Sequence, residues 1–350
     1  MDCGPFTVDP DPSVARTPPG ALYGDAGLYR AMLDRAFAPS WQPLLDLGEV
    51  AAGELVPTTL LPGSLDEPLL LVADGDERVL SNVCTHRGAT LVKTRRRGPR
   101  VVCPYHGRCF GRDGVVQAAP GFAGREGELP GLPAVPLERL GPLRFVRIAD
   151  GVSLGPTGVR ALLETRSPGL PWDRLAACSG AAVDYDVPVH WALYVENYLE
   201  GLHIPFVHPS LDRAVGRDTY VVEAVDGGVL QTAQPRRGGV TLPGGAAALY
   251  LWTFPNVMLN VYPWGLSLNV VMPRGVGACR VAFRTFVWDP TLQEQGAGAG
   301  LDAVEREDEA VVARVAQGVR ARLYGRGHYA VPAEVGVHHF HRLLTAALWG

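Results

Sequence analysis

Four residues able to bind a soft or borderline metal fall close together in CTHRGATLVKTRRRGPRVVCPYHG, residues 84–107. Cys84 and His86 have one residue between them, Cys103 and His106 two. Thiolate and imidazole side by side select zinc, copper or iron–sulfur chemistry over magnesium or calcium. Three readings fit. A structural zinc site takes four such ligands. A chance cluster of buried cysteines and histidines binds nothing. A two-iron cluster takes one cysteine and one histidine from each loop, with both thiolates on one iron and both imidazoles on the other. Gly88 and Gly107 lie close behind the two histidines, where backbone without a Cβ can close around a bound group and donate N–H bonds to it.

A second constellation lies in ENYLEGLHIPFVHPSL, residues 196–211. Glu200 and His203 are three apart, which predicts one helical face. Pro205 predicts a break that swings His208, five residues beyond His203, back toward it. The plain alternative is a polar helix end with two hydrogen-bonded histidines. With a carboxylate, two histidines make the facial triad of a non-haem iron site that keeps open positions. Further on, Val304, Val311, Val315 and Val319 predict an apolar helical stripe that includes Asp308 and leaves out Glu305, Glu307 and Glu309. An acid on a buried face needs a partner or a metal, although an acid early in a helix is also favoured by the dipole. Glu196, one turn before Glu200, either supports the site or is a surface acid.

The elements that must carry these residues divide the chain. Residues 1–39 are expected to be a flexible, proline-rich leader (MDCGPFTVDPDPSVARTPPGA) followed by a helix over GLYRAMLDRAFAPS. Residues 40–152 read as short β-runs punctuated by ADGD and GRDG, turn signals that join paired strands. Residues 153–350 alternate strand patterns (AAVDYDVPVHW, TYVVEAVDGGVLQTA, LYLWTFPNVMLNVYPWGLSLNVVMPR) with helical stretches near residues 191, 302 and 335, an α+β arrangement. At 350 residues and 47% hydrophobic content the chain can bury two cores. A formal charge of −4 argues against nucleic acid as the main partner, and KTRRRGPR reads as a hairpin tip or a patch for an acidic protein. No apolar run is long enough to span a bilayer, so no membrane is expected and the location is read as cytoplasmic. Six cysteines do not make a disulfide scaffold; Cys3, Cys109, Cys178 and Cys279 are expected to be reduced. Tyr250, Trp252 and Phe254 fall on one strand face, with Tyr262 and Trp264 later; such a stripe is core, or else lines a pocket for an aromatic ring or an ammonium group.

CTHRG followed by CPYHG resembles the Rieske [2Fe–2S] motif of ring-hydroxylating oxygenases, with Arg87 and Pro104 in place. The extra cysteine pair of high-potential Rieske proteins is absent: Ala89 and Tyr105 occupy those loops. Arg108 stands where many relatives carry an aromatic residue. The spacing Glu200–His203–His208 resembles the mononuclear iron motif of the same family, and EDEAVVARVAQG resembles the acidic helix whose Asp, here Asp308, is the third ligand. The resemblance implies an all-β Rieske [2Fe–2S] domain joined to a helix-grip α+β catalytic domain. It implies two cofactors, the cluster at Cys84, His86, Cys103 and His106 and a mononuclear Fe(II) at His203, His208 and Asp308. Glu200 would bridge a cluster histidine of one subunit and an iron histidine of the next in a head-to-tail homotrimer. An NAD(P)H-dependent flavin/iron–sulfur reductase or a ferredoxin would supply electrons, since the chain carries no Gly-rich dinucleotide fingerprint. The implied activity is O2-dependent hydroxylation or oxidative N-demethylation of a small molecule. Glutamate at 200 and the stretch EVGVHHFHRLL resemble the choline-monooxygenase branch, whose substrates are quaternary amines; His338, His339 and His341 within it are read as structural. Ring dihydroxylation of an arene is the alternative within the class, and a Rieske electron carrier or a zinc-stabilised binding module the alternatives outside it.

Overall fold

The computed structural model describes residues 4–122, 124–151, 153–178, 180–208, 220–235, 239–293 and 301–350. They form two compact units: Trp41–Arg139 with Leu143–Ala149, and Met1–Ser40 with Leu140–Pro142 and Asp150–Gly350.

The first unit is built from short antiparallel strands. Glu54–Leu60 (β1), Glu67–Asp74 (β2) and Asp76–Ser81 (β3) form the body of one sheet, flanked by the two-residue strands Arg96–Arg97 and Ala134–Val135. Arg100–Val102 (β4), Cys109–Gly111 (β5) and Val116–Ala118 (β6) form a second. Leu55, Leu70, Val72 and Leu80 pack with Val101, Phe110 and Val116 in one core, and Cys84 and Cys103 belong to that core.

The second unit centres on an antiparallel sheet of Val183–Val187 (β7), Val221–Val225 (β8), Gly228–Ala233 (β9), Ala248–Thr253 (β10), Val257–Tyr262 (β11), Gly265–Pro273 (β12) and Cys279–Val287 (β13), with Ala176–Ala177 also paired to β13. β10, β11 and β12 are buried along almost their whole length, so their alternation is hydrophobic on one face and mixed on the other. Gln231, Tyr250, Asn260 and Ser267 form a cross-strand row on the mixed face. Helices Ala26–Met32 (α1), Pro156–Arg166 (α2), Trp191–Tyr198 (α3), Ile204–Val207 (α4), Leu301–Gly318 (α5) and Val335–Trp349 (α6) complete the unit. α6 packs on β8 and β9, and α3 on α5 and β12.

The N-terminal segment is not the free leader expected. Ala15, Leu22 and Tyr23 are buried. Arg16 donates to the Arg326 carbonyl at 2.9 Å and Arg326 to that of Arg16 at 2.9 Å. Proline and acid content describes this stretch poorly, because its few apolar side chains find a core elsewhere in the chain.

Candidate metal centres

The two Cys/His loops share one backbone design. Val83 pairs with Thr90, and Val102 with Cys109. Inside those pairs Cys84 N–H donates to the Ala89 carbonyl at 2.9 Å and Gly88 N–H to that of Cys84 at 3.0 Å; the matching bonds are Cys103 to Arg108 at 2.8 Å and Gly107 to Cys103 at 3.1 Å. Gly88 and Gly107 have φ of 73° and 72°, a left-handed conformation that costs any other residue. Each loop thus runs from cysteine to glycine in one tight turn, with the histidine at its third residue in one and its fourth in the other. The Asn82 side chain clasps the first loop, donating to the Val92 carbonyl at 2.8 Å and accepting from Val92 N–H at 3.0 Å.

Cys84 and Cys103 are buried, at 2% and 3% exposure, whereas His86 is half-buried and His106 exposed. The imidazoles face each other with centroids 4.8 Å apart. Two sulfurs inside and two imidazoles outside fit a cluster whose thiolate-bound iron is sheltered and whose histidine-bound iron meets the surface. Burial pushes the Cys84 thiol up. Burial opposes Cys103 too, but N–H groups of Tyr105 and His106, with the nearby charge of Arg108, bring it below its ordinary value.

In the second unit α3 ends at Tyr198, before the iron motif begins. Glu200 and His203 therefore do not lie on one helix face, as expected from their spacing; they sit in a bend. The Glu200 carboxylate closes this bend by accepting Leu202 N–H, His203 N–H at 3.3 Å and His203 Nδ1 at 2.6 Å. Pro205 does not break a helix; it sits in the first turn of α4, where its missing N–H costs nothing. That turn brings the rings of His203 and His208 to 5.2 Å at 81°.

α5 supplies the acid. Asp308 Oδ1 lies 2.9 Å from His208 Nε2 and 3.6 Å from His203 Nε2, and among the described residues these three form a group with donor atoms within 4.8 Å of one another. Each histidine has its other nitrogen held by a carboxylate: His203 Nδ1 by Glu200, and His208 Nδ1 by Glu307 at 2.6 Å. Such outer bonds fix the tautomer and aim Nε2 inward. Asn197 donates to Asp308 Oδ1 at 2.6 Å, and one turn earlier on both helices Tyr194 donates to Glu305 at 2.6 Å. The His/His/carboxylate set with no fourth protein ligand among the described residues suits a metal that must keep positions open. Burial disfavours charge on His208, but the carboxylates of Asp308 and Glu307 outweigh it and raise its pKa.

The expected valine stripe is not the buried face of α5. Val315 is 44% exposed and Val304 and Val311 half-buried, while Glu305, Val312 and Ala316 are buried; of the stripe only Val319, just past the helix, is buried. Asp308 reaches the histidines because it borders this face, which begins with Glu305, whose Oε2 accepts from Tyr194. Glu307 and Asn197 escaped the sequence reading; the rule that a ligating histidine needs a partner on its second nitrogen points to Glu307, while Asn197, which bonds Asp308, has no such signal. Glu196 serves elsewhere, accepting from Tyr23 at 2.7 Å and facing His341 Nε2 at 3.1 Å. His338 and His339 bind the carbonyls of Asp9 and Val225, as structural histidines do.

The aromatic stripe divides. Trp252 packs against Phe254 and Phe340 as core. Tyr250 joins Tyr220 and Tyr262 in a second packed cluster, with centroids at 6.4 and 5.9 Å, and Tyr262 stacks on Trp264 at 5.0 Å. Tyr220 touches the metal segment: a Cβ on Gly201 would meet its ring at 3.1 Å. Tyr198 links the same places, donating to Asn260 at 2.6 Å.

Comparison with known proteins converges on this picture. Residues 40–136 match the Rieske [2Fe-2S] domain, and residues 176–349 the ring hydroxylating alpha subunit (catalytic domain). The chain is 28% identical to the chloroplastic choline monooxygenase of Arabidopsis thaliana, over 98% of this chain and 86% of that protein. It is 26% identical to the carnitine monooxygenase oxygenase subunit of Escherichia coli (strain K12), over 96% and 94%. Its fold superposes on the quaternary ammonium Rieske monooxygenase CntA in complex with an inhibitor, with a TM-score of 0.76, 22% identity and 96% of each chain covered.

Proposed function

Because the chain belongs to the Rieske oxygenases with a ring-hydroxylating alpha-type catalytic domain, homologous to choline and carnitine monooxygenases, we propose that it oxidises a quaternary ammonium compound by hydroxylation or oxidative N-demethylation. It is an oxidoreductase that incorporates O2 and uses a [2Fe–2S] cluster and a mononuclear iron. The zinc module and the pure electron carrier are set aside by the matched catalytic domain.

In our reading Cys84, His86, Cys103 and His106 hold the cluster, and His203, His208 and Asp308 hold the iron. Bound there, the iron supplies O2 activation at its open positions, with electrons from the cluster. Glu200 and Glu307 keep the imidazoles aimed. The observation that carries the substrate class is the aromatic group Tyr220, Tyr250, Tyr262 and Trp264, which begins at Gly201 beside the metal segment. Faces of that kind attract an ammonium group that has no N–H to satisfy. Burial holds the phenols of Tyr220 and Tyr262 well above their ordinary pKa and that of Tyr250 up to about 12, so this cluster stays neutral and aromatic.

Glu200 is further assigned the bridge to a cluster histidine of a neighbouring copy in a head-to-tail homotrimer. Apolar side chains stand exposed at both ends of that route: Tyr105 at 58% beside His106, and Leu202 and Phe206 at 43% and 85% beside His203. A second copy of the chain would cover them. The electron donor is read as an NAD(P)H-dependent reductase or ferredoxin, and the location as cytoplasmic; among the described residues no helix is long and apolar enough to cross a membrane.

A single turnover tests the substrate. The protein is reduced without oxygen, freed of reductant, mixed with choline, carnitine, glycine betaine, stachydrine or an aromatic acid, and exposed to air. Formaldehyde or an oxidised amine fragment is expected. A hydroxylated or dihydroxylated ring, with the amines untouched, would overturn the substrate class and leave the metal assignments standing.

A further inference from the structure

The position just after the glycine, equivalent in the two cluster loops, carries a small neutral residue in one and a charged one in the other. Where the first loop has Ala89 accepting the cysteine N–H, the second has Arg108. Arg108 is only 4% exposed. Its Nη1 donates across to the Thr85 hydroxyl of the first loop at 3.3 Å, and its guanidinium lies 5.3 Å from the Phe122 ring centre. Among the described residues its guanidinium has no carboxylate partner. A buried, permanently charged side chain without a counter-ion is expensive. The Arg108 carbonyl accepts the Cys103 N–H at 2.8 Å and its side chain crosses to Thr85, the residue after Cys84, so its charge is felt at both buried cysteines.

We propose that the counter-ion of Arg108 is the cluster itself, and that the arginine raises the cluster's reduction potential. The inference rests on the reading of Cys84, His86, Cys103 and His106 as cluster ligands. Reduction adds one electron from the external donor and no atom, so the cluster gains one unit of negative charge. A fixed cation in a water-poor site stabilises that form more than the oxidised one. Arg108 is therefore a tuning residue: it accepts no electron, and acts through the field at the sulfurs. A neutral side chain in its place makes the cluster harder to reduce.

The test is a redox titration of the cluster-loaded protein with mediators, followed by visible and EPR spectra, with no turnover involved. Arg108→Gln is expected to lower the ratio of reduced to oxidised cluster at a given potential by about tenfold or more, a fall of about 59 mV per tenfold for a one-electron couple. Arg108→Lys and Thr85→Val, which keep the charge but alter or remove the tie between loops, are expected to stay within about threefold of the parent. An unshifted Arg108→Gln with an intact Rieske spectrum overturns the proposal. So does a Thr85→Val that shifts as far as Arg108→Gln, since the arginine would then act as a tie. Should Arg108→Gln fail to hold the cluster, Arg108→Met supplies the neutral side chain, and Thr85→Asp, which sets a carboxylate against the guanidinium, must lower the potential too. A parent protein with no Rieske signal is a different failure, that of the ligand assignment.

Discussion

The cluster loops and the iron segment solve the same task, aiming imidazoles, by opposite means. In the loops the backbone does it: two five-residue turns, each closed by the same pair of main-chain bonds and a left-handed glycine, present cysteine inward and histidine outward. In the iron segment carboxylates do it. His203 and His208 sit on a bend and a single helical turn, and each is held by a glutamate side chain, one of them from a helix about a hundred residues away. A site made of local turns can be complete before the rest of the chain arrives. One made of side-chain bonds across long sequence separation exists only when α3, α4 and α5 have docked.

The strongest way to break this contrast is to remove a proposed ligand from each side. Asp308→Ala is expected to strip the mononuclear iron and lower product formation by more than the roughly 100-fold that losing an outer partner costs. The Rieske spectrum should survive, because the main-chain and Asn82 bonds that shape the cluster loops lie within the first unit. Cys103→Ser should do the reverse, abolishing the cluster signal while iron analysis still finds metal at the histidines. If either change empties both sites, the two are not independently built.

Next in size is the carboxylate support. Glu307→Ala is expected to weaken iron binding by roughly 10–100-fold, read by competition with a chelator, and Glu307→Gln by less, since its side-chain oxygen can still accept from His208 Nδ1. Among the described residues no carboxylate of the same chain holds a loop histidine as Glu307 holds His208. The loops are sensitive instead at the glycines: Gly88→Ala and Gly107→Ala are each expected to cost about 1–2 kcal/mol in the cluster unit, the strain of a non-glycine residue at positive φ. Nothing would lie within 4 Å of the new Cβ at Gly88, and at Gly107 only Pro120 Cγ at 3.5 Å, so the two costs should be nearly equal when followed by thermal loss of the cluster absorbance.

The same contrast decides what could be read from the sequence. The two Cys/His loops are legible because their spacing is their structure. His203 and His208 are legible as a pair, but not the way they meet, because α3 stops early and Pro205 starts a new turn where a kink was expected. Asp308 lies on a valine stripe of which only Val319 is buried: the inward face of α5 opens with Glu305, whose charge is answered by Tyr194, and apolar periodicity cannot register an acid paired across 111 residues. The reach of Arg108 to Thr85 is likewise a contact between loops that no spacing within either one announces.

The smallest effect sharpens the comparison inside the second unit, between two buried histidines. His208 is flanked by carboxylates and is held above its ordinary pKa. His190, at the start of α3, has its Nδ1 accepting Ala192 N–H at 3.2 Å, its Nε2 buried without a hydrogen bond among the described residues, the Tyr23 ring against its edge and the charge of Arg320 nearby. Burial first, then Arg320, lowers its pKa from 6.5 to about 3. Above pH 6.5 the ring is neutral whether folded or not, and contributes no pH dependence. Below it the unfolded chain takes a proton that the folded ring refuses, so stability falls by about 1.4 kcal/mol per pH unit until the folded ring itself titrates near 3. His190→Asn keeps an acceptor for the Ala192 N–H and has no proton to bind. The difference in urea-unfolding stability between parent and variant should therefore shrink with that slope as pH drops from 6 to 4. A flat difference would mean that water or an acid reaches Nε2, and that His190 resembles His208 after all.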